Sequence, residues 1–381
     1  MKRGLVWTVV IAASLVLWAL ASGFLFVVRP ILHGDPAGAD PVRIEVPAGT
    51  SLAGIADRLR AAGVVRHPTV FRRFATLAHF DRQIRSGEYD FVAGESYRRI
   101  LERLREGDIV QIKVTLPEGL TCREIAGVLA RKLGIKQEEF LLATQDTELR
   151  HRHNIESPSL EGYLYPDTYF FPSKTTAQQA IETMLQRFFT VWTPRMEERA
   201  RAIGMTRGQV LALASIIENE ALLDSERPRI SAVYHNRLQA SMLLQADPTV
   251  LYALGGVHRR VLYRDLRVAS PYNTYLNPGL PPGPICNPGR ISIEAALAPQ
   301  QNCGELFFVA AQDGTGRHVF TRTLAEHLAA KRRAEFLLEQ RSAEAAAATA
   351  ASAGGTPEET TPPAPRATAP AAAAPDTSHK P

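Results

Sequence analysis

The sequence predicts an α+β protein in four parts: an N-terminal transmembrane helix, a small α/β module, a larger mixed α+β domain and a disordered C-terminal tail. Three observations carry this expectation. An uncharged apolar stretch runs from Leu5 to Val28, a strand–turn–helix pattern occurs twice at one constant offset, and the chain from Ser342 onward is Ala/Thr/Pro-rich with few apolar anchors. The 381 residues suffice for two modest domains with cores of their own. A composition of 45% apolar and 22% charged residues is that of ordinary globular protein.

The N-terminus sets the compartment. Residues 1–4 carry Lys2 and Arg3 ahead of the apolar stretch at 5–28. As a helix that stretch is about 36 Å long at ~1.5 Å per residue, enough to span the ~30 Å hydrocarbon core with some tilt. Positive charge before the span, with no comparable cluster just after it, places the N-terminus in the cytoplasm and the rest of the chain outside the cell (inner) membrane, on the periplasmic or extracytoplasmic side. Ala19-Leu-Ala21 resembles a signal-peptide cleavage site, but Phe24-Leu-Phe-Val-Val28 continues the apolar run beyond it, which favours a retained anchor.

The small module is expected over residues 42–116. Val42-Arg-Ile-Glu-Val46 alternates as a strand does, Pro47-Ala-Gly-Thr-Ser51 makes a turn, and Leu52, Ile55, Ala56 and Leu59 recur at helical spacing. Thr69 to Phe80 reads as a helix, Gly87-Glu-Tyr-Asp-Phe91 as a turn leading into a strand, and Tyr97 to Arg105 as a further helix. This strand–helix–helix–strand order resembles a LysM-type fold, common in proteins that bind N-acetylglucosamine polymers; a plain spacer is the alternative. The opening pattern then returns. Pro47/Pro117, Gly49/Gly119, Ile55/Ile125, Ala56/Ala126 and Leu59/Leu129 match at one offset, so Lys113–Leu116, the Pro117-Glu-Gly-Leu-Thr121 turn and the following helix form a second copy.

That second copy opens the larger domain, residues 117–340. Its helices include Thr176–Val191 and Thr206–Leu223, with polar and Gly/Pro-rich loops over 245–290. Leu306–Ala310 and Arg317–Phe320 flank Gly314-Thr-Gly316 as a hairpin, and Leu324–Gln340 is the last helix. Residues 341–381 are expected to be disordered, since they bury too little surface to offset ordering.

A net charge of +5 favours anionic surroundings such as a membrane face or an acidic polymer. No nucleic-acid partner is expected, as the chain has neither a recognition motif nor a dense Lys/Arg tract. No metal or organic cofactor is expected either: the ten histidines are scattered, and the three cysteines form no CxxC pair. His235 reads as a structural polar residue. Cys286 and Cys303 are a candidate disulfide in an exported compartment, with three free thiols the equally weighted alternative.

The chemistry centres on Leu213-Ala-Ser-Ile-Ile-Glu-Asn-Glu-Ala221. Thr206 is a fitting N-cap, and Val210, Leu213, Ala214, Ile217 and Ala221 form an apolar stripe. Glu218 lies at one edge of it, about 80° from Val210, with Leu211, Ala214 and Leu222 as neighbours; Glu220 lies at the other edge. Apolar surroundings disfavour the charged form of a carboxyl, which would suit Glu218 to general-acid work. Periodicity alone does not choose between the two glutamates. The loops that follow supply amide, carboxylate and hydroxyl groups of the kind that bind sugar hydroxyls: Gln245, Asp247, Tyr272, Asn273 and Thr274, with Tyr252 and Tyr275 as platforms for pyranose faces. Turn-making and capping explain the same residues. Glu161 and Asp167 orient the cleft or serve as a cap and an ion pair.

Six stretches together resemble the YceG-like endolytic murein transglycosylases: Leu160-Glu-Gly-Tyr-Leu-Tyr-Pro-Asp-Thr-Tyr169, Leu213–Ala221, Tyr234-His-Asn-Arg-Leu238, Gln245-Ala-Asp-Pro-Thr249, Ser270-Pro-Tyr-Asn-Thr-Tyr275 and Gly279-Leu-Pro-Pro-Gly-Pro-Ile285. They fall in the family's order over about residues 42–335. The departures are Cys286, where the family commonly has a small residue, and the tail. The resemblance implies that Glu218 is the catalytic residue and that peptidoglycan glycan strands are cut between N-acetylmuramic acid and N-acetylglucosamine without water. Glu218 would protonate the leaving oxygen and then take the proton of the sugar's own C6 hydroxyl, closing a 1,6-anhydro ring. It also implies work at the cell membrane beside peptidoglycan synthases, terminating strand elongation. Two rivals stand: a non-catalytic peptidoglycan-binding scaffold, and a hydrolytic muramidase needing a second carboxylate, for which Asp247 is the candidate.

Overall fold

The computed structural model describes residues 2–33, 40–80, 84–256 and 259–353. The chain is mixed α+β with an N-terminal apolar helix, α1 (Lys2–Leu32). Within it Val10–Leu32 is long and apolar enough to cross a membrane, and Leu15, Trp18, Phe24 and Leu25 lie exposed along its sides. The helix continues past the expected end at Val28, through Arg29 and Pro30.

A first core gathers β1 (Val42–Val46), α2 (Leu52–Ala61), α3 (Pro68–Leu77), β2 (Gly87–Phe91) and α4 (Tyr97–Glu106). β1 and β2 are antiparallel, with Val42 opposite Phe91 and Val46 opposite Gly87. Their inward residues Ile44, Val46, Tyr89 and Phe91 pack on Ile55, Leu59, Phe71 and Leu104 from the helices. Ser51 and Ser96 start α2 and α4 by accepting hydrogen bonds from Gly54 N (3.2 Å) and Arg99 N (3.3 Å).

A second core begins with β3 (Gln111–Thr115) and α5 (Cys122–Leu133) and continues through α6 (Gln137–Thr144), α7 (Thr147–Arg152) and β4 (Thr168–Pro172). β3 and β4 are antiparallel, Gln111 opposite Pro172 and Thr115 opposite Thr168. Then come α8 (Ala177–Val191), α9 (Pro194–Ala202), α10 (Arg207–Glu220), a 3-10 turn (Asp224–Glu226), α11 (Arg227–Gln239), α12 (Asp247–Ala253), a second such turn (Asp265–Arg267) and α13 (Arg290–Leu297). The hairpin of β5 (Phe307–Ala310) and β6 (His318–Thr321) pairs Phe308 with Phe320, and α14 (Leu324–Ala353) packs against it.

The repeat read from the sequence is a repeat of structure. β1 and β3 each lead through a Pro-x-Gly turn into α2 and α5; Gly49 (φ 75°) and Gly119 (φ 82°) both sit in the left-handed region that only glycine adopts freely. Thr121 caps α5 as Ser51 caps α2, and Glu124 completes a capping box by accepting from Thr121 N at 2.8 Å.

Helix α10 departs from the expected one-sided stripe. Thr206 and Gln209 form its capping box, and every residue from Val210 to Ile217 is buried. A helix buried all round is a core element, flanked here by α11 and α13. Each large apolar side chain on it contributes about 1.5–3 kcal/mol through burial, which fixes the position of its last turn. The final helix also differs: α14 runs on from Gln340 to Ala353, because the alanine-rich stretch has the highest helix propensity. So residues 342–353 are helical and not disordered; the remainder of the expected tail, 354–381, lies outside the described residues.

Candidate active site

Glu218 and Glu220 occupy the last turn of α10. Two residues along a helix is about 200° of rotation, and the two carboxyls enter different surroundings. The Glu218 side chain is only 7% exposed; its Oε1 pairs with Arg227 Nη1 at 3.0 Å, and its Oε2 accepts a hydrogen bond from Gly289 N at 2.9 Å. Arg227 is buried at the first position of α11, where Pro228 favours helix initiation, and it also pairs with Asp224 Oδ1 (2.9 Å) and donates to Ser292. Burial disfavours its charge, but Glu218 and Asp224 more than offset this and hold the guanidinium above its ordinary value. The expectation of apolar neighbours for the Glu218 carboxyl is therefore corrected. Leu222 is 77% exposed, and the groups that hold the carboxyl are a guanidinium and a backbone amide.

The second repeat turn covers this carboxyl. Gly119 N donates to Asn287 O, and Asn287 N donates to Leu120 O, each at 2.9 Å, which fixes the turn to the segment carrying Gly289. A Cβ on Gly119 would stand 3.7 Å from Glu218 Cγ, and one on Gly289 would collide with the carboxyl group of Glu118. Burial, and then the neighbouring Glu218, push the Glu118 carboxyl above its ordinary value.

Asn287 also ties in the 160s loop. Its Oδ1 accepts from Gly162 N and Leu164 N at 2.9 Å, and its Nδ2 donates to Glu161 Oε1 at 3.0 Å. Glu161, buried, accepts from Cys122 N at 2.9 Å as well, and burial raises its carboxyl to about 7. Asp167 is instead paired with Arg187 Nε at 2.6 Å. The Gly/Pro segment lies along the same wall: Ile285 N donates to Ser215 Oγ at 3.0 Å, and Pro284 fills the space where a Cβ on Gly162 would stand.

The seven loop residues read from the sequence divide among three places. Gln245 and Asp247 line a cavity of about 430 Å³ together with Glu220, Tyr234, Arg237 and Tyr275. There Tyr275 Oη donates to Asp247 Oδ1 at 2.6 Å and Tyr234 Oη to Glu220 Oε1 at 3.0 Å. Burial raises the Glu220 carboxyl to about 7. Tyr252 and Tyr272 stack at a tilt, ring centroids 4.9 Å apart, with Tyr252 beside Glu161. Asn273 and Thr274 are buried and use their side chains inside the loop. Asn273 Nδ2 donates to Leu266 O (3.0 Å) and Val268 O (2.9 Å), and Thr274 Oγ1 accepts from Ala246 N (3.0 Å). In this structure these side-chain groups hold the loop together from within.

The Tyr234–Leu238 stretch is likewise structural: His235 Nε2 meets Ala296 O at 2.9 Å, Asn236 donates to Cys303 O at 2.8 Å, and Arg237 donates to Leu306 O at 2.6 Å. All three cysteines are free, so the candidate disulfide between Cys286 and Cys303 is not formed. Among the described residues no group of three His, Cys, Asp or Glu is placed to hold a metal ion. Sequence reasoning missed Arg227, Glu118 and Gly289. The first had a signal in the acid-flanked Glu226-Arg-Pro228 start of a helix, and the second in Glu118 standing where the first repeat copy has Ala48.

Fold and site together define an α+β protein with an apolar N-terminal helix and a carboxyl centre at the end of a buried helix. The chain belongs to the YceG-like family, whose pattern matches residues 44–333. It is 34% identical to the endolytic murein transglycosylase of Bacillus subtilis over 76% of this chain and 84% of that protein. It is 28% identical to the endolytic murein transglycosylase of Streptococcus pneumoniae over 81% of this chain, spanning 62% of that longer protein. A crystal structure of a yceG-like protein from Listeria monocytogenes superposes with a TM-score of 0.53 at 34% identity, covering 76% of this chain and 99% of the other.

Proposed function

We propose that this chain is a membrane-anchored endolytic peptidoglycan lytic transglycosylase with Glu218 as its acid and base. The observation that carries this reading is the placement of Glu218: a near-buried carboxyl fixed by Arg227 and Gly289 N, in a chain 34% identical to a protein named for that activity. The Glu218 carboxyl gives its proton to the oxygen leaving C1 of N-acetylmuramic acid, and the C1–O bond breaks. The carboxylate then removes the C6 hydroxyl proton as that oxygen bonds to C1, which closes the 1,6-anhydro ring and restores the acid. One carboxyl serves both steps, so no water enters.

Tyr252 and Tyr272 offer ring faces to the sugars on the Glu161 side, and Gln245 and Asp247 polar groups on the Glu220 side. Asp247, the second carboxylate expected for the hydrolytic rival, faces Glu220 and Tyr275 and not Glu218. We read the unit expected at 42–116 as a LysM-like wall-binding module, on its strand–helix–helix–strand order, and 117–340 as the catalytic domain, with β3 (Gln111–Thr115) going to the latter because it pairs with β4. The apolar helix holds both at the outer face of the cell membrane, N-terminus cytoplasmic, where new strands leave the synthases. The test is mass spectrometry of products released from purified glycan strands by the full-length protein in detergent. Anhydro-muramyl ends that vanish in Glu218→Gln are expected; reducing ends, or activity surviving in the variant, would refute the assignment.

A further inference from the structure

Glu118 lies in the second copy of the repeated turn. In the first copy the equivalent residue is Ala48, so the turn itself does not require a carboxyl there. Glu118 has no hydrogen-bond or ion-pair partner among the described residues, although Arg227 stands nearby, paired to Glu218 and Asp224. Its carboxyl group lies against Gly289 Cα, in space that any Cβ at position 289 would fill. On the other side of the same residue, Gly289 N is hydrogen-bonded to Glu218 Oε2 at 2.9 Å. Gly119, next in the turn, approaches the Glu218 side chain. Two carboxyls from distant parts of the chain thus flank one backbone position.

We infer that Glu118 is the partner carboxyl of Glu218, a positioning residue that acts through Glu218 and keeps a proton there for the leaving oxygen. The inference rests on the function proposed above. Like charges on both sides of one backbone position repel, and Glu218 is among the groups that push the Glu118 carboxyl above its ordinary value. The groups facing Glu118 are Glu218 on α10, Asp224 on the 3-10 turn, Arg227 on α11 and Tyr165 on the 160s loop. Burial and the two acids favour the protonated form of Glu118, and Arg227 opposes them. Over one turnover the pair loses a proton to the glycosidic oxygen and regains one from the C6 hydroxyl, so its proton count is unchanged.

The test follows kcat and KM for release of anhydro-muramyl products from about pH 4, near the reference carboxyl value, to about pH 9, using full-length wild type, E118Q, E118D, G289A and E218Q. In E118Q a group that cannot ionise replaces one that can, so no negative charge at position 118 opposes loss of the proton from Glu218. The pair then loses its last proton more readily, so the alkaline limb of kcat moves down by about one pH unit. kcat at neutral pH falls about tenfold or more with KM nearly unchanged, and E118D recovers part of the loss. G289A keeps the amide that holds Glu218 and displaces only the flexible end of Glu118, so it reproduces the E118Q profile. Combining the two adds nothing further. E118Q with wild-type kcat and pH limb overturns the inference, as does a folded G289A with wild-type kinetics, whatever E118Q does. Activity retained in E218Q instead overturns the underlying function, which keeps the two failures distinct.

Discussion

Glu220 and Glu218 share a helical turn and differ in everything that sets their behaviour. Glu218 is held by a guanidinium and an amide, whereas Glu220 lies in the cavity with Tyr234 as its hydrogen-bond donor. Burial moves the Glu220 carboxyl from 4.5 to about 7, against the lowering effect of Tyr234. A carboxyl with a raised value in the folded state binds its proton more tightly there than in the unfolded chain. Stability from this group is therefore highest at pH below its ordinary value, declines as pH rises towards about 7, and is level above that. The decline is of order 1–3 kcal/mol, allowing for the group's partial exposure. Glu220→Gln, which has no proton to lose, should flatten that part of the curve. Urea denaturation at about pH 5 and about pH 8, either side of the transition, should show a smaller stability difference in the variant than in the wild type. An unchanged difference would mean that Glu220 is ionised in the fold.

The two Pro-x-Gly turns show what an element conserves when its task changes. Gly49 and Gly119 have nearly the same left-handed backbone, but a Cβ on Gly49 meets nothing within 4 Å, whereas one on Gly119 faces Glu218. Alanine at either position costs about 1 kcal/mol through backbone strain. Gly49→Ala should lower stability by that amount and leave turnover unaltered; Gly119→Ala should cost about the same and also slow turnover. Thermal melts beside product release distinguish the two, and equal kinetics would deny the second turn its role at the site. Much of this was legible in the sequence, because the paired Pro, Gly, Ile, Ala and Leu positions are local signals for turns and helix faces. The eight-residue burial of α10 was less so: Ala212 and Ser215 lie off the apolar stripe, and Ser215 is buried under the distant Ile285–Cys286 segment. The contacts of Glu218 were not legible at all, as Arg227 and Gly289 reach it through tertiary packing that periodicity does not encode.

At the scale of the whole molecule, the sequence marked the N-terminal helix correctly because a bilayer-length apolar run needs no partner to be recognised. The division of the loop residues among three places was hidden, since Gln245 and Asp247 sit beside Asn273 and Thr274 in composition but not in burial. Among the described residues, the groups that hold the Glu218 carboxyl come from α11 and the segment before α13, and none from the apolar helix. Its proposed role is to confine the enzyme to strands near the membrane, and confinement raises local concentration without altering the chemical step. A chain beginning after His33 should therefore keep the wild-type kcat on dissolved glycan strands. On strands still growing from membrane-bound synthases in vesicles, the same chain should cut far less at equal bulk concentration, and the glycans should lengthen. Grafting an unrelated apolar span of similar length onto it should restore cutting. Failure of the graft, with the shortened chain active on dissolved strands, would show that α1 makes specific contacts with a membrane partner and is more than a tether.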